Sequence, residues 1–300
     1  MIEDFPRMVV LAGPNGSGKS TVTSGLIQAE EFPAVYINAD DISRVELAHI
    51  GDPFARNLEA ANLAETRRRS ALESGRAFAF ETVLSTPGKL ALFDEARANN
   101  FSVELIFVTT SDPSINQHRV RLRVAKGGHD VDPTKIAERY ERAMRLLPSA
   151  VSKADYAEVF DNSSSERPPV LVALKVGDNL DYDDNGLPWV RMRMVEPFLA
   201  RASSRDALNA QFVEQTPGAS MTDARIAFGQ MYQGVVAGLT DHHVLQAVSP
   251  NQYVLHDRVL CPSDQSFTVG QASTISYAFG PDGKHALAAH SNPRSRPRPR

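Results

Sequence analysis

The sequence predicts an α/β fold in which a mostly parallel sheet is flanked by helices, followed by a small all-β domain. Over the first 160 residues, short apolar runs alternate with longer amphipathic segments, which is the pattern of successive β–α units. The run at 103–108 is apolar apart from Glu104 and contains several β-branched residues, as expected of a strand buried on both faces. From 232 to 286 the pattern changes to short strands separated by turns, which favours a small barrel or sandwich.

The individual elements follow from the same patterns. Predicted strands cover 8–12, 34–38, 77–80, 103–108, 156–160 and 170–176, and predicted helices cover 18–28, 54–74, 88–99, 113–124 and 133–147. Residues 162–169 are rich in Ser and Pro and predict a loop, whereas 177–224 predict no definite structure beyond a helix over 190–202. We therefore expect a first domain over 1–176, a connecting region over 177–224, a β domain over 225–288 and a disordered Arg/Pro tail over 289–300.

Composition excludes several classes of protein. The formal net charge of −4 argues against a protein that coats nucleic acid, and the four arginines of the tail predict no specific nucleic-acid site. The single cysteine, Cys261, excludes an internal disulfide and four-cysteine zinc sites. Neither a secretory signal nor an apolar run of about 18 residues is present, so we expect no membrane span and a cytoplasmic location.

The segment GPNGSGKS, Gly13 to Ser20, matches the P-loop pattern at every fixed position and lies between a predicted strand and a predicted helix. Its glycines let backbone N–H groups converge on phosphate oxygens, and the helix N-terminus adds positive potential. This predicts a P-loop NTPase fold that binds a nucleoside triphosphate with Mg²⁺, in which Lys19 spans the β- and γ-phosphates and the Ser20 hydroxyl ligates Mg²⁺. The predicted nucleotide-binding residues are Gly13, Pro14, Asn15, Gly16, Ser17, Gly18, Lys19, Ser20 and Thr21.

Carboxylates follow two of the predicted strands, at the edge where a parallel sheet presents its site. A kinase needs a carboxylate that orients the acceptor hydroxyl and accepts its proton. We assign Asp40 to this role and Asp41 to capping the next helix. Glu81, with Thr82 beside it, is expected to hold either a Mg²⁺-bound water or the acceptor substrate.

The arginines after the fourth strand are candidates for stabilising the transferring phosphoryl group. Arg119 and Arg123 are four residues apart and share a helix face, so both are assigned to catalysis, while Arg121 and Arg139 are assigned to substrate binding. A solvated helix face explains any single one of these arginines equally well. The glycines before His129 suit a hinge.

Four segments resemble the zeta-toxin family of P-loop kinases over residues 7–160, namely GPNGSGKS, INADD, FET and RVRLRVAKGGHDV with the following IAERYERAM. Members with known activity use ATP and Mg²⁺ to phosphorylate the sugar 3′-hydroxyl of UDP-N-acetylglucosamine. The resemblance implies that Asp40 is the base, Glu81 the strand-end glutamate, and Lys19 and Ser20 the phosphate-loop pair. It places one transition-state arginine within 119–123, whereas GGHDV stands where the second is expected.

Residues 230–286 resemble the KfrB-like domain, a small β module of plasmid-encoded proteins, through GVVAGLTDHHVLQAVSPNQYVLHDR and VGQASTISYAFGPDGK. The histidines and aspartates at 241–243 and 256–257 suit turn and strand-pairing roles better than a metal site, because no third ligand stands at a metal-site spacing. Residues 181–186 fit half of a calcium loop, but Met192 stands at the position of the bidentate glutamate, so a tight turn is the better interpretation.

Two functions therefore compete. One is an ATP-dependent sugar-nucleotide kinase, a toxin held in check by an antitoxin protein or by its own C-terminal region. The other is a plasmid-associated ATPase switch whose β domain mediates interactions. Both require the P-loop, and they differ in whether phosphate is transferred to a nucleotide-sugar acceptor.

Overall fold

The computed structural model describes residues 5–28, 32–127, 131–226, 230–262, 265–277 and 279. The predicted hinge at His129 and the Arg/Pro tail over 289–300 lie outside the described residues.

A seven-stranded sheet, here called sheet A, forms the centre of the N-terminal part. Its strands lie in the order β2-β3-β1-β4-β5-β6-β7. The first five are parallel, and β6 and β7 continue the sheet in antiparallel pairing. The bounds are β1 Arg7–Ala12, β2 Val35–Ile37, β3 Phe78–Thr82, β4 Ser102–Thr109, β5 Tyr156–Asp161, β6 Val170–Val176 and β7 Asn179–Tyr182. The predicted mostly parallel sheet is therefore confirmed.

Helices cover sheet A and connect it to the C-terminal part. They are α1 Lys19–Gln28, α2 Ala39–Asp41 with a π-helical turn Ile42–Glu46, α3 Pro53–Glu73, α4 Pro87–Ala98, α5 Pro113–Ala125, α6 Pro133–Lys153, α7 Pro188–Val190 with a π-helical turn Arg191–Val195, and α8 Glu196–Gln215. Helices α3, α5 and α6 begin alike, with an aspartate whose side chain accepts a backbone N–H, followed by proline. None of the described helices combines the length and hydrophobicity that a membrane span requires.

A second sheet, sheet B, forms the C-terminal part. Its strands are β8 Ser220–Asp223, β9 Gln230–Leu239, β10 His243–Ser249, β11 Gln252–Asp257 and β12 Ala272–Tyr277, in the order β12-β9-β10-β11-β8. The all-β character is confirmed, although the described strands form one open sheet rather than a barrel or sandwich. The physical reason is that α8 packs on this sheet, with Leu208 clustered against Leu245 and Leu255, and so covers a face that a second sheet would otherwise cover.

Candidate functional site

The loop between β1 and α1 curls tightly against its neighbours. Gly13, Gly16 and Gly18 have φ values of 141°, 78° and 95°, which residues with a Cβ rarely adopt. A Cβ on Gly13 would lie 2.0 Å from the carbonyl oxygen of Val108, and one on Gly18 would lie 2.2 Å from Nδ2 of Asn162. The glycines are thus required both by conformation and by the close approach of β4 and the segment after β5.

Lys19 opens α1 and is buried, with 8% of its surface exposed. Its ammonium donates hydrogen bonds to the carbonyl oxygens of Gly13 at 2.7 Å and Pro14 at 3.0 Å. Burial lowers the pKa of Lys19, and the carboxylates of Glu81 and Asp40 offset this only in part. The positive charge is therefore not fully compensated by the protein, which favours an incoming anion.

Two asparagines far along the chain brace the loop. Asn116 of α5 donates to the carbonyl oxygen of Asn15 at 2.8 Å, and Asn162 donates to that of Ser17 at 2.7 Å. Asn116 is itself fixed because its Oδ1 accepts a hydrogen bond from the Thr110 hydroxyl. The Ser17 hydroxyl and the Asn15 Oδ1 are buried without a hydrogen-bond partner among the described residues. Buried polar atoms normally have partners, so these two are available to a ligand in the loop.

Glu81 lies at the end of β3 within a small polar network. Its Oε2 accepts hydrogen bonds from the Tyr36 hydroxyl and from Nδ2 of Asn38, each at 3.0 Å. Burial and the neighbouring Glu81 carboxylate raise the pKa of Tyr36, so the phenol remains a donor. These two donors, from β2 and the residue after it, fix the Glu81 carboxylate within electrostatic reach of Lys19, whose pKa it raises.

Asp40 and Asp41 have different surroundings. The helix cap is Asn38, whose side chain accepts the backbone N–H of Asp40 at 2.9 Å. The expected capping role of Asp41 is therefore wrong, because the helix begins two residues earlier. Asp41 instead pairs with Arg44 at 2.9 Å on the surface. Asp40 is exposed and interacts electrostatically with Lys19, as expected of a carboxylate that faces the phosphate site.

The arginines divide into two groups. Arg123, exposed near the end of α5, interacts electrostatically with Lys19 and lowers its pKa, so its charge reaches the phosphate loop. Arg119, one turn earlier, donates to the carbonyl oxygens of Asn162 at 2.7 Å and Ser164 at 3.0 Å. In this arrangement Arg119 holds the segment after β5 in place.

The remaining predicted site residues differ in how exposed their side chains are. Arg121 is exposed on α5, and Arg139 is half-buried on α6; neither is among the groups that act on Lys19. Ser20 and Thr21 are exposed at the start of α1. The Thr82 hydroxyl accepts the N–H of Leu84 at 3.1 Å, and Leu84 is buried with φ of 54°. Positive φ is rare for leucine, so the turn after β3 is strained beside the site.

Outside this site, the polar residues of sheet B have internal partners. His243 contacts Ser204 at 2.9 Å, and His256 contacts Tyr277 at 2.7 Å. Asp257 pairs with Arg201 at 2.5 Å. Within the described part of the chain, no three His, Cys, Asp or Glu side chains are grouped as metal ligands would be. The segment 181–186 forms a turn in which Gly186 donates to the Asp183 carbonyl oxygen at 3.0 Å.

Several known proteins are similar to this chain. An uncharacterized protein of Haemophilus influenzae is 27% identical over 134 residues, which cover 45% of this chain and 92% of that protein. The AvrRxo1-ORF1:AvrRxo1-ORF2 crystal structure with sulphate ions matches with 15% identity and a TM-score of 0.48, over 60% of this chain and 61% of that chain, so the match spans about three fifths of its length. The PezAT toxin–antitoxin structure of Streptococcus pneumoniae matches with 15% identity and a TM-score of 0.44, over 71% of this chain and 89% of that chain.

Family models cover both parts of the molecule. A model described as KfrB Domain matches residues 231–286, which contain most of sheet B. A model described as Zeta toxin matches residues 3–167, more than half of the chain, and spans the phosphate loop, β3 and α5. Both resemblances predicted from the sequence are confirmed, and membership supports a nucleotide-binding phosphotransferase. The chain belongs to the zeta toxin family.

Proposed function

We propose that this protein transfers the γ-phosphate of ATP to a sugar hydroxyl of UDP-N-acetylglucosamine or a related nucleotide, as the toxin of a toxin–antitoxin pair. The observation that carries the proposal is the charge balance around Lys19. The ammonium of this buried lysine donates to carbonyl oxygens of a glycine-rich loop, and two carboxylates, Asp40 and Glu81, lie within electrostatic reach of it. Such an arrangement suits a polyphosphate that meets an alcohol.

The residues fit a triphosphate in the loop. Gly16 and Gly18 allow the backbone to curl, the buried Ser17 hydroxyl has no partner among the described residues, and α1 begins at Lys19 with its N-terminus toward the loop. In the proposed reaction Lys19 leaves the Gly13 and Pro14 carbonyl oxygens and binds the β- and γ-phosphates. The cost of burying its charge is then offset by the phosphate charges.

Mg²⁺ is proposed as the companion ion. The Ser20 hydroxyl and the Glu81 carboxylate, directly or through a water, provide the oxygen ligands that Mg²⁺ prefers. The ion neutralises part of the phosphate charge when bound. Tyr36 and Asn38 hold the Glu81 carboxylate in place for this role.

Asp40 acts as the general base in this proposal. The acceptor hydroxyl oxygen attacks the γ-phosphorus, its proton passes to the Asp40 carboxylate, the bond from the γ-phosphorus to the β–γ bridging oxygen breaks, and ADP leaves. Arg123 stabilises the charge on the transferring group, while Arg119 keeps the segment after β5 fixed. Arg121 and Arg139 remain proposed contacts of the acceptor.

The acceptor assay uses the full chain with ATP, Mg²⁺ and UDP-N-acetylglucosamine, and mass spectrometry of the nucleotide sugar. We expect a product one phosphate heavier, and expect Asp40→Asn to abolish transfer while ATP binding persists. Asp41→Asn is the matched control, because it removes a neighbouring carboxylate whose ion pair is with Arg44 on the surface. Full transfer by Asp40→Asn would show that the base is another group.

The same assay separates the alternative function. If ATP is consumed without phosphorylation of any nucleotide sugar, the protein is an ATPase switch, and sheet B is its interaction module. The toxin part of the proposal is tested by growth: expression of the wild-type chain should arrest cells, and Asp40→Asn should not.

A further inference from the structure

A cavity away from the phosphate loop lies at the junction of the two parts of the molecule. It is lined by α6, by the π-helical turn Arg191–Val195 with the start of α8, and by the segments before β10 and after β11. Its volume is about 740 Å³, and none of the phosphate-loop residues 13–20 line it. We propose that this cavity, which we call the junction cavity, binds a small phosphorylated molecule of nucleotide size. This site is independent of the proposed kinase reaction.

The junction cavity is strongly basic. Five arginines line it, namely Arg142, Arg145, Arg193, Arg201 and Arg258, whereas its lining carboxylates are those of Glu141 and Asp241. The guanidinium group is planar and offers paired N–H donors that match phosphate geometry. An anion is therefore the ligand that this lining favours.

Internal pairs satisfy only some of these arginines. Arg193 pairs with Glu141, Arg201 pairs with Asp257, and Arg258 donates to the Thr240 carbonyl oxygen at 2.8 Å. These three cations are held in place by partners within the protein. The pairs position them at the wall of the cavity without using all of their donors.

Unmet donors remain on the cavity wall. Arg201 is 7% exposed, and its Nε has no hydrogen-bond partner among the described residues; the same holds for the buried Nε of Arg142. Among the residues that the structure describes, Arg142 has one long ion-pair contact, 3.5 Å to Glu138, and Arg145, one turn further along α6, forms no ion pair. Buried donors without acceptors are costly, so the site is built for acceptors that a ligand brings.

The rest of the lining is apolar. Met144, Pro148, Met192 and Phe267 provide a surface for the ring of a base or sugar. Cavities of this size that combine apolar walls with a few convergent charged groups are typical small-molecule sites. The combination of basic and apolar lining favours a phosphorylated ring compound over a bare inorganic ion.

The test is a calorimetric titration of the full chain with ADP. We expect two binding events per chain, one at the P-loop and one at the junction cavity. Lys19→Met should weaken the first alone, and Arg145→Gln should weaken the second alone by about tenfold, the loss expected for one charge-assisted phosphate contact. Because the Arg145 side chain has no described ion pair to lose, this variant should fold as the wild type does.

The matched control is Arg76→Gln, which removes an exposed arginine that does not line the cavity. Arg142→Gln is a second variant, expected to act as Arg145→Gln does. A single binding event per chain that Lys19→Met abolishes, or Arg145→Gln and Arg142→Gln both binding like Arg76→Gln, would overturn the proposal. Citrate binding at the second site as tightly as ADP would overturn the assignment to phosphorylated molecules.

Discussion

Lys19, buried in the phosphate loop, and Lys153, half-buried at the end of α6, show how the same side chain is used in different ways. The Lys153 ammonium lies 2.8 Å from Asp94 and 3.6 Å from Asp257. Burial alone would lower its pKa, but Asp94 and Asp257 raise it. Among the described residues, the hydrogen-bond partners of the Lys19 ammonium are carbonyl oxygens alone, and burial lowers its pKa.

The difference separates a structural charge from a functional one. At Lys153 the compensating anions belong to the protein, since Asp94 lies on α4 and Asp257 lies at the end of β11, where Arg201 also pairs with it. This cluster therefore joins sheet B to the helices of the N-terminal part. At Lys19 the compensation is incomplete, which costs stability and favours a bound phosphate.

The largest expected effect is on stability at the junction. Lys153→Met leaves the nearly buried Asp257 and the half-buried Asp94 without this cation, so the free energy of unfolding should fall by about 3–5 kcal/mol. Urea denaturation measures this change. Lys19→Met is the control, because it removes a charge that the fold does not compensate. An equal loss in both variants would remove the distinction between the two lysines.

The next effect concerns catalysis. Lys19→Met should lower kcat/KM for phosphate transfer by about 10²–10³-fold, since it removes a preorganised charge at the transferring group. Steady-state kinetics measure this, with the unfolding midpoint as a check that the fold persists. Unchanged kcat/KM would mean that Lys19 does not touch the phosphates.

A third prediction concerns pH and applies to sheet B alone. Burial lowers the pKa of His243 and of His256 to about 4, so both are neutral when folded, whereas the unfolded chain binds protons below about pH 6.5. Stability should therefore be full above pH 6.5 and fall as the pH drops from 6.5 to 4, by about 2 kcal/mol for each histidine.

The measurement is urea unfolding at several pH values between 6.5 and 5, where most carboxylates stay ionised. His256→Phe, which removes one of the two titrating groups, should make the dependence on pH shallower. A slope that His256→Phe leaves unchanged would show that this histidine is not the source of the acid sensitivity.

The smallest expected effect is on catalysis, from the loss of one hydrogen bond to the Glu81 carboxylate. Tyr36→Phe removes one of two hydrogen bonds to Glu81 and should lower kcat/KM by about 2–10-fold, the equivalent of one hydrogen bond. Tyr156→Phe is the matched control. Tyr156 donates to Glu158 at 2.7 Å at the start of β5, so this bond lies at the amino end of the parallel strands, opposite the end that carries Glu81. Equal losses in the two variants would indicate a general effect of losing a hydroxyl.

The sequence predicts the features that consecutive residues specify, and it does not predict contacts between residues far apart in the chain. The phosphate loop is specified by eight consecutive residues, and β6 by an apolar run that Lys175 interrupts near its end, so both are recognisable without the fold. Asn116 and Asn162 brace the loop from positions 101 and 145 residues away along the chain, and no local pattern marks them. The charged cluster around Lys153 is equally hidden, because its members come from separate elements.

The β part shows the same limit. Its short strands are visible as alternating runs, but whether they close into a barrel depends on what covers the sheet. Helix α8, within a region for which the sequence predicts only a partial helix, supplies that cover through Leu208. The shape of sheet B thus follows from a contact between distant segments.

The most direct test of the central claim is a calorimetric titration of ATP with Mg²⁺ into the Arg145→Gln chain, in which the junction cavity is weakened. The account predicts one tight, saturable binding event, which is lost when Lys19→Met is added. An absence of binding heat, or binding that persists unchanged without the Lys19 ammonium, would contradict the claim that residues 13–20 hold a nucleoside triphosphate.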